Sequence, residues 1–184
     1  RHPLIEQLNT EELYVTNDVS VGVDSDIMLL YGTNAVGKTS IIRALGINLI
    51  MAQAGLYVAS SHFEFVPYSG IFTRMEMSEL RVILNMADKN SLILGDELCS
   101  GTEHDSAVSI FVSGLEMLHK RGTSAIFATH LHEIVQFEEI ERMKNIDIKH
   151  QTVSYNKEKD MLIYDRKLKD GAGESMYGLE VCKS

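Results

Sequence analysis

The stretch Leu29–Leu45, LLYGTNAVGKTSIIRAL, decides the fold. A short apolar run, Ile27 to Tyr31, ends at Gly32. Four residues later Gly37, Lys38 and Thr39 open a segment, Lys38 to Gln53, in which Ile41, Ile42, Leu45, Leu49 and Ile50 recur at helical spacing. Buried strand, glycine-bounded loop and helix follow in the order that the pattern G-x-x-x-x-G-K-[ST] requires. The glycines let the loop curl until its N–H groups converge, and the helix adds the positive end of its dipole, so the expected ligand is a polyphosphate. Gly32, Val36, Gly37 and Ser40 belong to this cradle. Lys38 is placed for the β- and γ-phosphates and the Thr39 hydroxyl for Mg²⁺.

Outward from the loop, strand and helix patterns alternate. Leu92–Leu94 and Ser124–Ala128 read as buried strands, and Ile71–Thr73 and Tyr57–Ala59 as short ones. Met75–Met86 and Asp105–Lys120 read as helices, the second with Val108, Phe111, Val112 and Leu115 inward, and Leu131–Phe137 as a short helix. Arg1–Leu8 and Leu13–Val15 look extended, and Gly173–Val181 suits a closing helix. Ile146–Tyr155 and Met161–Leu168 alternate around NKEKD, which is a hairpin signal. The expected fold is α/β, a P-loop NTPase with a mostly parallel central sheet, helices on both faces and an antiparallel edge hairpin. One junction breaks the pattern. IFTR, a strand, abuts MEMSELRVILNMA, a helix, with no connecting residues, so either Arg74 and Met75 are truly adjacent or, as is expected here, a loop that this sequence does not carry belongs between them.

Two further strand ends carry candidate chemistry. SLILGDEL delivers Asp96 at the end of an apolar run, where ligands bind in open α/β sheets. Asp96 is expected beside the phosphate loop, holding Mg²⁺ through its water shell, and Glu97 is the natural base for an attacking water. IFATH ends in Thr129 and His130, an imidazole placed to sense the γ-phosphate. His62, His104, His119, His132 and His150 have no metal-ligand spacing.

Composition narrows the class. The chain has 184 residues, enough for one domain, and is 45% hydrophobic with a formal net charge of −9. That charge argues against a broad nucleic-acid surface on this piece. Cys99 and Cys182 are too few for a disulfide framework and read as reduced intracellular thiols. No run approaches a membrane span, no signal peptide is visible, and the opening at Arg1 suggests a piece of a longer polypeptide. The expected location is intracellular: cytoplasm or nucleoid in a bacterium, nucleus or organelle in a eukaryote.

The phosphate loop, LILGDE and ATH together resemble the ABC-type ATPase class. RHPLIE, YVTND, YGTNAVGKTS, GLYVA, IFTR, EMSEL, DELCSGT, FATHLHEI and DGAGESMYG, in this order, resemble the MutS family of DNA mismatch-recognition proteins from Arg1 to Val181. The resemblance implies an ATPase domain that binds ATP or ADP with Mg²⁺ and works in a dimer, with a second MutS-type subunit identical or different. It implies that mismatched DNA is held by other domains, and that ATP binding makes a sliding clamp which recruits a MutL-type partner. Residue by residue it implies Asn34 near the γ-phosphate, Asp96 and Glu97 as the metal and water acids, and His130 as the switch histidine. Tyr14 takes the place of an aromatic that packs on adenine, although an ordinary strand tyrosine is its other reading. Arg166 stands where members carry His or Tyr near the base.

The departures are specific. Thr33, Ala35 and Val36 replace Pro, Met and Gly at free positions of the loop pattern. After Glu97 the family's IGRGTST is LCSGTEH, which alters a segment that faces the partner subunit. The family also carries a glycine-rich loop and a partner-reaching S-T-F between FTR and EMSE, at the junction already noted. Three readings stay open: a mismatch-repair ATPase, a MutS-like ATPase in another DNA transaction such as recombination control, and a nucleotide-binding dimerisation module with weak hydrolysis. A small-molecule P-loop kinase is remote, because no lid is evident.

Overall fold

The computed structural model describes residues 1–8, 14–33, 36–73, 77–96, 104–156 and 161–173. Its centre is β1 (Ile27–Tyr31), every residue of which is buried. β1 lies inside a six-stranded sheet of order β2-β3-β4-β1-β5-β6, with β2 at Gly70–Thr73, β3 at Ser91–Asp96, β4 at Ser124–Thr129, β5 at Ile146–Asn156 and β6 at Met161–Asp170. All pairings are parallel except β5 with β6, which form the expected antiparallel hairpin at one edge. A strand with parallel neighbours on both sides and helices on both faces has no polar surface to offer, which is why β1, β3 and β4 read as near-continuous apolar runs.

The helices are α1 (Ile5–Leu8), α2 (Lys38–Gln53), α3 (Met77–Met86), α4 (His104–Arg121) and α5 (Glu138–Glu141), with a 3₁₀ helix at His132–Gln136. Strand alternation divides the core into two. Ile27, Leu29, Ile93, Ala125 and Phe127 face one way, onto Leu80 and Ile83 of α3 and onto Val108, Phe111, Val112 and Leu115 of α4. Phe111 meets Phe127 edge to face at 5.3 Å between ring centroids. Met28, Leu92, Leu94, Ile126 and Ala128 face the other way, onto Ile42 and Leu49 of α2. On the first face the two helices are also tied to each other. Arg121, the last residue of α4, donates to the carbonyls of Leu84 and Ala87, capping α3.

Several expectations need correction. Arg1–Leu8 is not extended throughout. The ring Nδ1 of His2 accepts from the N–H groups of Leu4 and Ile5, at 3.2 Å each, and this local capping starts α1. Tyr57–Ala59 is no strand, because its backbone finds a side chain instead of a ladder. The Ala59 N–H donates to Asn48 Oδ1 at 2.7 Å, and Tyr57 is 97% exposed. Ile50 is exposed despite its helical spacing, since α2 buries the Ile42–Leu49 line. Tyr14 and Val15 form no regular element, and α5 was not foreseen. The Arg74–Met75 junction and the tail beyond Gly173 lie outside the described residues. No helix among the described residues is long and apolar enough to cross a membrane.

The Phe111–Phe127 contact joins α4 to the middle of the sheet, so Phe111→Ala is expected to cost about 3–5 kcal/mol of folding stability. Urea unfolding of the purified protein measures this. A loss below about 1 kcal/mol would mean that α4 is not the main cover of this face.

Candidate functional site

Three parallel strands end side by side. In register, Asp96 on β3 pairs with Ala128 on β4, and Ala128 pairs with Leu30 on β1. Asp96 is therefore not beside the strand that feeds the phosphate loop. β4 stands between them, and two strand spacings amount to about 10 Å. The residue that follows β4, exposed His130, thus emerges between the acid and the loop. Thr129 holds this turn, its Oγ1 accepting from the Leu131 N–H at 3.2 Å.

The loop is shaped by two glycines in left-handed backbone, Gly32 at φ +149° and Gly37 at φ +120°. Gly32 also has no room for a side chain: a Cβ there would lie 2.9 Å from Val36 Cγ1 and 3.1 Å from the Gln151 carbonyl oxygen. Gly37 leads directly into α2, whose first N–H groups have no partner one turn back and point out of its N-terminus. Lys38 is only 5% exposed. Its ammonium donates to the carbonyls of Gly32 and Thr33, the latter at 2.9 Å, so the cation binds the loop from inside. Thr39 and Ser40 follow on the first turn of α2, both partly buried.

Polyphosphate and Mg²⁺ suit this arrangement. A buried lysine at a helix N-terminus concentrates positive potential. Asp96 Oδ1 is buried and has no hydrogen-bond partner, and neither has Thr33 Oγ1. An unsatisfied buried oxygen costs about 1–3 kcal/mol, a cost that a hydrated cation would remove. Among the described residues no three His, Cys, Asp or Glu side chains are grouped to hold a metal by themselves.

Tyr14 lines a cavity of about 290 Å³ with Asn17, Asp18, Leu45 and Phe63, and this cavity reaches α2 at Ile41, one turn beyond Lys38. Burial raises the Tyr14 hydroxyl above the ordinary tyrosine range and Glu6 adds to this, while the guanidinium of Arg166 opposes it. Asn34 and Glu97, with Cys99 and the rest of the segment to Glu103, lie outside the described residues.

Gln151, His132 and His150 join the site, and the sequence singled out none of them for it. Gln151 is 1% exposed and follows His150, the register partner of Tyr31, so it lies alongside Gly32. His132 packs its ring on Tyr31 at 4.9 Å between centroids. Burial lowers its pKa, Glu133 opposes this, and His130, His150 and Lys38 lower it further. These histidines lack motif spacing, and only the register of β1, β4 and β5 assembles them. Gln151 did leave a signal, an amide in an alternating strand where an apolar residue would be ordinary. Glu133 also pairs with His104 at the start of α4.

Residues 28–184 match the family model described as MutS domain V. The chain is 40% identical, over 98% of its length, to the mitochondrial DNA mismatch repair protein mutS homolog of Sarcophyton glaucum, and covers 19% of that protein. It is 35% identical over its whole length to DNA mismatch repair protein MutS of Chlorobaculum parvum, covering 22% of it. It is also 35% identical over its whole length to the protein of that name from Prochlorococcus marinus, covering 21%. The chain therefore spans about a fifth of the length of the relatives it matches. A central strand that hands its chain through a glycine-shaped, lysine-filled loop to a helix, matched along nearly the whole sequence, places this chain in the MutS family, as its domain V.

Proposed function

We infer that this chain is the ATP-binding and ATP-hydrolysing part of a MutS-type protein, acting inside the cell in DNA mismatch repair. The observation that carries the reading is the cradle at the head of α2, where Gly32 and Gly37 bend the backbone around buried Lys38. The sheet order, with β4 between the loop strand and the Asp96 strand, supports an ABC-type arrangement. The relatives' names carry mismatch repair to this chain.

The chemistry follows from the residues. Lys38 exchanges its bonds to the Gly32 and Thr33 carbonyls for bonds to phosphate oxygens, and loop N–H groups such as that of Val36 complete the shell, with Asn34 assigned to the γ-phosphate. Thr39 and Asp96 hold Mg²⁺, which when bound spreads the negative charge of the phosphates. Glu97 accepts a proton from the attacking water, and His130, emerging between loop and acid, contacts the γ-phosphate. Tyr14 and Arg166 take the adenine, a ring and a guanidinium both being suited to stacking. A second MutS-type subunit completes the site, a MutL-type partner reads the ATP-bound state, and mismatched DNA is gripped outside this domain, as the net charge of −9 suggests.

Lys38→Ala is expected to weaken ATP binding about a hundredfold, since a charged, buried phosphate contact is lost. Glu97→Gln should retain ATP binding while turnover drops about 10²–10⁴-fold. Equilibrium binding and single-turnover hydrolysis separate the two, and an unchanged rate in Glu97→Gln would remove Glu97 from the mechanism. The biological role is tested on the full-length protein that carries this domain, titrated against a duplex with one mismatch and a matched control, with ADP and then ATP. Tighter mismatch binding that ATP converts to sliding or release is the expected result. Equal binding to both duplexes points to a different DNA transaction.

A further inference from the structure

We propose that Gln151 is a positioning residue that couples the base end of the nucleotide site to its phosphate end, a role that rests on the ATP-binding reading above. β5 and β6 lose register between His150 and Thr152: His150 pairs with Lys169, but Thr152 pairs with Asp165. Gln151 therefore stands alone opposite Arg166, Lys167 and Leu168, and the irregularity turns the Arg166 carbonyl toward it. Gln151 Nε2 donates to that carbonyl at 2.6 Å. The same oxygen accepts from Asn17 Nδ2 at 2.9 Å, and Asn17 Oδ1 accepts from the Leu168 N–H at 2.7 Å. Asn17 lines the cavity with Tyr14.

The other side of Gln151 meets the phosphate loop. Its carbonyl oxygen is 3.1 Å from where a Gly32 Cβ would sit, and its side-chain amide is 3.7–3.8 Å from the corresponding position at Gly37. Gln151 Oε1 is buried without a hydrogen-bond partner. A buried amide that satisfies its donor toward the base side and leaves its acceptor against the loop is poised for one more bond. The relay requires the Gly37 N–H, the backbone next to this amide, to reach Gln151 Oε1 when phosphate binds. The loop, Gln151, the Arg166 carbonyl and Asn17 then form one continuous hydrogen-bonded relay from the phosphates to the base cavity.

A double-mutant cycle on the purified protein tests the relay, with Mg-ATP and Mg-tripolyphosphate, a chain without a base, as probes. Gln151→Met keeps the volume and leaves the Arg166 carbonyl its bond to Asn17, so the fold should hold. Gln151→Met is expected to weaken ATP binding about tenfold and tripolyphosphate binding less than about threefold. Tyr14→Ala should weaken ATP binding about tenfold in the unsubstituted protein and less than about threefold in the Gln151→Met background. Asn17→Ala breaks the relay from the exposed side and should reproduce the Gln151→Met pattern, which decides the matter if Gln151→Met does not fold. Equal losses for ATP and tripolyphosphate would reduce Gln151 to a structural support and overturn the proposal, as would a Tyr14→Ala cost that is the same in every background. If Tyr14→Ala has no effect at all, the relay fails together with the base assignment. If the unsubstituted protein binds neither probe, it is the ATP-binding reading itself that fails.

Discussion

The position of β1 is the constraint on which everything else rests. With β4 and β5 on its edges and a helical layer on each face, the strand can meet solvent only at its ends. The chain must leave its C-terminal end, reverse, and start a helix on one face within a few residues. Gly32 and Gly37 make that reversal possible, both lying in left-handed backbone. The proposed phosphate site follows from closing a buried parallel strand with a tight turn into a helix.

The burial of Lys38 belongs to the same logic. An ammonium at 5% exposure needs oxygen ligands, and the loop provides the Gly32 and Thr33 carbonyls. The lysine therefore contributes to the shape of the loop that it serves. The unpartnered oxygens of Asp96, Thr33 and Gln151 lie around this same end of the sheet. Unsatisfied buried oxygens are rare in folded proteins, and three of them at this end of the sheet suit the proposed ligand, although Thr123 Oγ1 and His119 Nδ1 also lack a hydrogen-bond partner elsewhere.

The edge hairpin joins this centre to the base cavity. β6 is only partly buried and could have been a plain edge strand. Its irregularity opposite Gln151 instead presents backbone groups to Asn17 and a side chain to Thr16: Asn17 bonds at Arg166 and Leu168, and the Lys167 ammonium donates to the Thr16 carbonyl at 2.7 Å. A hairpin that ends the sheet thereby also positions the segment carrying Tyr14.

The sequence by itself determined the strands, the main helices and the phosphate loop, because each is written in short-range periodicity or in residues that permit one backbone geometry. The apolar run Ile27–Tyr31 and the periodic run Lys38–Gln53 are the observed β1 and α2. It also placed Asp96 and His130 at strand ends, since an apolar run that stops at a polar residue marks the edge of the core. Local bonds misled it elsewhere: His2 capping α1 and Asn48 holding Ala59 leave no periodic trace. The tertiary structure alone decided strand order, which inserted β4 between Asp96 and the loop. It alone set Gln151 against that loop and brought His132 and His150 beside Tyr31, the last residue of β1. Those contacts depend on register between strands more than 100 residues apart, and no local pattern in the chain encodes such a pairing.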